Sequence, residues 1–165
     1  MNKKKLNAIR IFLIILTLSV MAIIFALSAD TADESDAKSD AISDSIVFQI
    51  LNNFDLTDEQ IDMLVRRCVV IVRKTAHFAE YAALGFLLAS VFVSFGLKTK
   101  LNVPISFIIG VLYAVSDEIH QYFVPGRSCQ ISDMLLDSAG VITGILVLLS
   151  GVCIFKKIHT KKLRD

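Results

Sequence analysis

Apolar positions along this chain fall into four blocks. Residues 11–29, IFLIILTLSVMAIIFALSA, carry no charge. At about 1.5 Å per helical residue such a run matches the ~30 Å hydrocarbon core of a bilayer. A second block, 76–97, is apolar apart from His77 and Glu80. The third is uncharged from Val103 to Ser116 and reaches Val124 through a polar cluster, and the fourth, 134–155, has Asp137 as its one charge. Only helices and closed barrels satisfy their backbone groups in lipid, and runs of this length are helical ones. The pattern predicts an all-α polytopic membrane protein with four transmembrane helices.

The polar intervals divide the rest of the chain. Residues 30–45, DTADESDAKSDAISDS, are low in hydrophobicity and predict an exposed, mobile loop. Ile42, Ile46, Ile50 and Phe54 then recur every four residues, the period of a short amphipathic helix lying on the membrane surface. Thr57 and Gln60 have capping-box spacing, and neither Pro nor Gly interrupts 57–84. One long helix is therefore expected to run through Arg66, Arg67, Arg73 and Lys74 into the second span. The organisation is a basic N-terminus (1–10), a first span (11–29), an acidic loop with amphipathic helices (30–72), a helical core holding spans two to four (73–155), and a basic tail (156–165).

Charge sets an orientation. The chain is 55% hydrophobic and 20% charged, more apolar and less charged than an ordinary soluble domain. Its net charge of +1 conceals an asymmetry. Lys3, Lys4, Lys5 and Arg10 precede span one, Lys98 and Lys100 lie between spans two and three, and Lys156, Lys157, Lys161, Lys162 and Arg164 follow span four. Four crossings put all of these on one side, which the positive-inside rule makes cytoplasmic. Of the acidic residues only Asp165 falls on that side. The expectation is a plasma-membrane protein with both termini in the cytoplasm and 30–72 outside. The alternative for span one is a cleaved signal peptide, since Ala26-Leu27-Ser28 has a small-x-small form; the apolar run is longer than a usual h-region. Cys68 and Cys129 fall on the outer side and are candidates to pair, against unpaired packing roles for them and for Cys153. Gly140 and Gly144, with Ala79, Ala82, Ala83 and Gly85 on span two, are small residues of the kind that let helices approach closely in lipid. They predict contacts within one bundle first and an oligomer second.

The candidate chemistry lies at one level. Span two enters with Lys74, His77, Glu80 and Tyr81 on its first outer turns. Span three leaves with Asp117, Glu118, His120 and Gln121 on its last turns, and span four re-enters with Asp133 and Asp137 one turn apart. The Pro125-Gly126 turn sets Arg127 between them. Ionisable groups at such depth normally face a bundle interior or a wet cavity. Two readings follow. One is a network tying helix ends together, with Lys74 and Arg127 balancing the aspartates. The other is an outward-facing ligand site made of Lys74, His77, Glu80, Tyr81, Asp117, Glu118, His120, Gln121, Arg127, Asp133 and Asp137. Its carboxylates suit a cation, whereas Arg127 and Lys74 suit a phosphate.

Two of these stretches resemble the signatures of the VanZ-like membrane proteins. Arg73-Lys74-Thr75-Ala76-His77-Phe78-Ala79-Glu80-Tyr81 with Leu84-Gly85 is similar to the first. Asp117-Glu118-Ile119-His120-Gln121 with Pro125-Gly126-Arg127, Asp133, Asp137 and Gly140 is similar to the second. The resemblance covers roughly residues 70–150. One departure is visible: the family often has Ser-x-Gln near the end of span one, where this chain has Ser28-Ala29-Asp30. The resemblance implies an envelope-facing protein and a link with lowered susceptibility to teicoplanin, a lipophilic glycopeptide.

Two functions are then expected to compete. The first is a non-catalytic protein that binds or excludes amphiphilic ligands such as lipoglycopeptides or lipid-linked precursors. The second is a membrane-embedded hydrolase or transferase acting on lipid or cell-wall head groups, with His77, Asp117, Glu118 and Asp133 as candidate catalytic groups. Arg127-x5-Asp133-x3-Asp137 matches the Arg-x5-His-x3-Asp spacing of membrane lipid phosphatases, with Asp133 at the nucleophile's position. A transporter is disfavoured by four spans without a broken pair. No resident cofactor is expected. A divalent cation at the carboxylates is the alternative, although H-E-x-x-H and Cys-rich patterns are lacking. The lipid bilayer is the expected partner, and nothing points to nucleic acid.

Overall fold

A computed structural model describes residues 2–51 and 57–162. Among them are five helices and no strand: α1 (Lys3–Ser28), α2 (Ala32–Leu51), α3 (Asp58–Ser94), α4 (Thr99–Tyr122) and α5 (Ile131–Lys162). α1, α3, α4 and most of α5 are long and apolar enough to cross a membrane. The all-helical, four-span architecture expected from the hydrophobic blocks is therefore present.

Helix ends follow local sequence. Thr57 and Gln60 form both halves of the capping box that starts α3. With no breaker to stop it, α3 runs on for 37 residues. It ends in a Schellman motif: Gly96 takes φ +79°, its N–H donates to Val93 O at 2.9 Å, and Leu97 N–H donates to Phe92 O at 3.0 Å.

One expectation fails. The acidic stretch 30–45 is not a mobile loop, because α2 begins at Ala32 and packs along α3. Thr31 and Glu34 cap it reciprocally: Thr31 N–H donates to Glu34 Oε2 at 2.9 Å, and Glu34 N–H to Thr31 Oγ1 at 3.3 Å. Ser39 and Ser43 are buried, and Arg73 on α3 reaches Asp36 at 3.0 Å. Small polar residues whose hydroxyls bond back to their own helix allow close packing at Ser39 and Ser43. Of the four-residue repeat, Ile46 is exposed on α2. The side chains of Ile42, Ile50 and Phe54 lie outside the described residues.

α3 is the hub, touching α1, α2, α4 and α5, with its most extensive contact to α5. That contact depends on glycine. A Cβ on Gly144 would lie 1.9 Å from Ala82 O, on Gly85 2.2 Å from Val141 O, and on Gly140 2.5 Å from Phe78 O. The small residues predicted to pack do so within the bundle at Ala82, Gly85, Gly140 and Gly144, whereas Ala79 and Ala83 are exposed. Ile24, Tyr81, Leu84, Leu88, Ala114, Val141 and Ile145 fill the core around this crossing.

The two ends of the bundle differ. At one, Arg10 Nε donates to Ser94 O at 3.1 Å and its guanidinium sits 4.6 Å from the Phe95 ring centroid. The start of α1 is thereby fixed beside the end of α3, next to Lys98 and Lys100. At the other end the last residues of α1 and α4 meet the first turn of α5, the α4–α5 connection and the middle of α3. The cysteines are all free, with Cys129 and Cys153 exposed and Cys68 half-buried.

Candidate functional site

The polar end contains two kinds of side chain: those committed to one another and those left open. The committed ones join helices. Ser28, the last residue of α1, donates to Asp117 Oδ2 at 2.7 Å, and Gln121 Nε2 approaches the same oxygen at 3.3 Å. All three side chains are buried. Glu118 is buried too and accepts the Gln130 N–H at 3.0 Å, fixing the residue that caps α5. Gln130 O in turn accepts from Asp133 N–H at 3.0 Å and Met134 N–H at 3.2 Å. Lys74 on α3 forms an ion pair with Asp133 on α5. His120 stacks on Phe25 of α1 at 4.4 Å between ring centroids.

The open ones, together with some of the committed ones, line two adjoining pockets. The first, about 70 Å³, is walled by Arg73, His77, Gln121, Arg127, Gln130 and Asp133. The second, about 160 Å³, is more apolar and brings Leu27, Val72 and Ala76 together with Glu80 and Lys38. Arg73, His77 and Arg127 border both. His77 and Arg127 make no side-chain hydrogen bond or ion pair among the described residues. Partial burial, and then the nearby charge of Arg73, push the Arg127 guanidinium below its ordinary value, against the opposing pull of Asp30, Asp117 and Glu118.

Each sequence-predicted residue now has a place. His77, Gln121, Arg127 and Asp133 share the first pocket, and Glu80 stands in the second. Lys74 lines neither, being turned to Asp133. The expectation that Arg127 balances aspartates in ion pairs is not met among the described residues, where its guanidinium reaches none within bonding distance. Tyr81 and Asp137 are enclosed in the helix interior, 0% and 1% exposed. Among the described residues Tyr81 Oη, both Asp137 carboxylate oxygens and Asp117 Oδ1 find no hydrogen-bond partner there. Asp133 and Asp137 share a helix face as predicted, yet only Asp133 reaches a pocket. Among the described residues no group of three or more His, Cys, Asp or Glu side chains is arranged to hold a metal ion.

Sequence reasoning missed three contributors. Ser28 keeps the serine of the Ser-x-Gln pattern, from which the chain departs at Asp30, and its hydroxyl bonds Asp117. Arg73, one turn before His77 on the same helix face, was the legible one. Gln130 enters through its backbone N–H, for which no side-chain pattern exists.

No curated protein and no solved structure matches this chain. The model of the VanZ/LLP1 family does, over residues 12–155, which spans all four membrane helices and every residue of the polar end, and the chain belongs to that family.

Proposed function

We propose that the polar end faces the outside of the plasma membrane, with both termini in the cytoplasm, and receives the polar part of an amphiphilic envelope ligand. The observation that carries this is the open wall of Arg73, His77 and Arg127, bordering a polar and a more apolar pocket at the end of a membrane bundle. Such a border suits a molecule with a charged head and an apolar stem. Membership of the VanZ/LLP1 family supports a link with lowered susceptibility to lipophilic glycopeptides such as teicoplanin. Binding or excluding the ligand requires no reacting group, and the buried carboxylates of Asp117 and Glu118 serve to hold the helix ends around the pockets.

The test is susceptibility. Cells expressing the wild-type chain should tolerate more teicoplanin than cells with empty vector, and Arg127→Gln at equal membrane level should lose that tolerance. Equal tolerance in the two would overturn the reading. A second reading, a hydrolase or transferase of lipid-linked head groups, is favoured by His77 and Asp133 facing one pocket beside Arg127. It expects a released head group when purified protein is incubated with lipid-linked precursors, with and without chelator. No product under either condition retires it.

A further inference from the structure

The first pocket holds a guanidinium, that of Arg127, which no carboxylate among the described residues bonds directly. Asp133 is held by Lys74, and Arg73 already shares Asp36. The carboxylates that act on Arg127 from a distance are each engaged elsewhere: Asp30 by Lys38, Asp117 by Ser28 and Gln121, Glu118 by the Gln130 N–H. The backbone at Arg127 is nevertheless fixed in place. Its backbone N–H donates to Val124 O at 3.2 Å, and Gly126 turns the chain just before it with φ +76°. A half-buried guanidinium beside a second one, without a bonded counter-charge among the described residues, is an arrangement the fold maintains at a cost.

An anion would relieve it. A guanidinium fork matches the paired oxygens of a phosphate, and two forks on one wall select a compact anion over a cation. The first turn of α5, at Gln130 and Asp133, adds the partial positive charge of a helix N-terminus to the same pocket. About 70 Å³ holds several waters, or one tetrahedral group, and is small for a sugar. Beside it, Leu27, Val72 and Ala76 offer an apolar wall to a second pocket that Arg73 and Arg127 also border. We propose that Arg73 and Arg127, within the ligand site described above, bind the phosphate of an anionic membrane lipid, with the first methylenes of its stem against Leu27, Val72 and Ala76.

The full chain, reconstituted in nanodiscs of phosphatidylcholine doped with phosphatidic acid, provides the test. Native mass spectrometry would count the phosphatidic acid retained. Charge-assisted bonds of this kind are worth enough that Arg127→Gln should weaken retention about tenfold. Arg127→Lys should recover part of it, and Arg66→Gln, which removes a cation from the exposed part of α3, should leave it unchanged. Because Arg127 has no bonded partner among the described residues, Arg127→Gln should unfold at the wild-type temperature or above; a large drop would make the residue structural and overturn the proposal. Equal retention by wild type and Arg127→Gln would overturn it as well. Displacement by glycerol 3-phosphate at matching concentration would overturn the lipid source. Both nanodisc faces are accessible, so this readout is independent of membrane orientation, which the susceptibility experiment depends on.

Discussion

Ser28 at the end of α1 donates a 2.7 Å hydrogen bond to Asp117 near the end of α4, and both side chains are shut off from solvent. The bond ties the first span to the third at the level where the pockets open. Its loss would leave Asp117 Oδ2 with Gln121 Nε2 at 3.3 Å, while Oδ1 is already without a partner. Interhelical bonds in lipid average about 0.6 kcal/mol, but a buried acceptor left short of donors costs more. Ser28→Ala should therefore destabilise the bundle by about 1 kcal/mol in detergent unfolding. Asp117→Asn combined with Ser28→Ala should cost less than the sum of the two changes. Additive effects would show that the two side chains act independently.

The α3–α5 crossing gives a sharper expectation. Gly144→Ala would set a Cβ 1.9 Å from the Ala82 carbonyl, and Gly85→Ala one 2.2 Å from that of Val141. Backbone cannot yield as a side-chain tip can, so the helices must separate. Overpacking of this kind costs about 1–3 kcal/mol, and contacts this close belong at the upper end. Gly151→Ala meets nothing within 4 Å and gains helix propensity of up to ~1 kcal/mol. Thermal unfolding should rank the three in that order, with Gly151→Ala at or above wild type. A tolerated Gly144→Ala would contradict the crossing.

The start of α2 should be sensitive to acid. Backbone and then side-chain hydrogen bonds from Thr31 hold the Glu34 carboxyl below its ordinary value. A carboxyl lowered in the folded state contributes stability above its unfolded value and loses it as pH falls through the lower, folded one. Amide exchange, corrected for its intrinsic pH dependence, should show the first turn of α2 opening in mild acid while α3 stays protected. Glu34→Gln, which keeps an acceptor without the charge, should remove most of that dependence. A first turn equally protected at neutral and acid pH would refute the cap's role.

Most of the architecture was legible because lipid punishes exceptions. A charge inside an apolar run must face protein or water, so His77, Asp117, Glu118 and Asp133 announced one level by depth alone. Which of them would remain open was not legible. Lys74 and Arg127 look alike in sequence, yet one has an aspartate opposite and the other does not. Ser28 was obscured because a serine in an apolar helix gives no sign of its neighbour. The loop reading of 30–45 followed composition, while Thr31-Ala32-Asp33-Glu34 carried the capping signature that marks a helix start. Composition reports how much apolar surface a segment can bury. It does not report that Ser39 and Ser43 can sit against another helix.

The orientation of the polar end decides whether the pockets meet the envelope at all. Cys129 lies exposed in the connection between α4 and α5, beside Arg127. Thr160, exposed near the end of α5 among Lys156 and Lys157, marks the opposite end. Two single-cysteine chains separate the ends: one retaining Cys129 with Cys68→Ser and Cys153→Ser, the other lacking all native cysteines and carrying Thr160→Cys. A membrane-impermeant maleimide applied to intact cells should label the first and not the second. After permeabilisation both should react. Labelling of Thr160→Cys in intact cells would invert the topology. It would also place Arg73, His77 and Arg127 in the cytoplasm, where no envelope ligand could reach them.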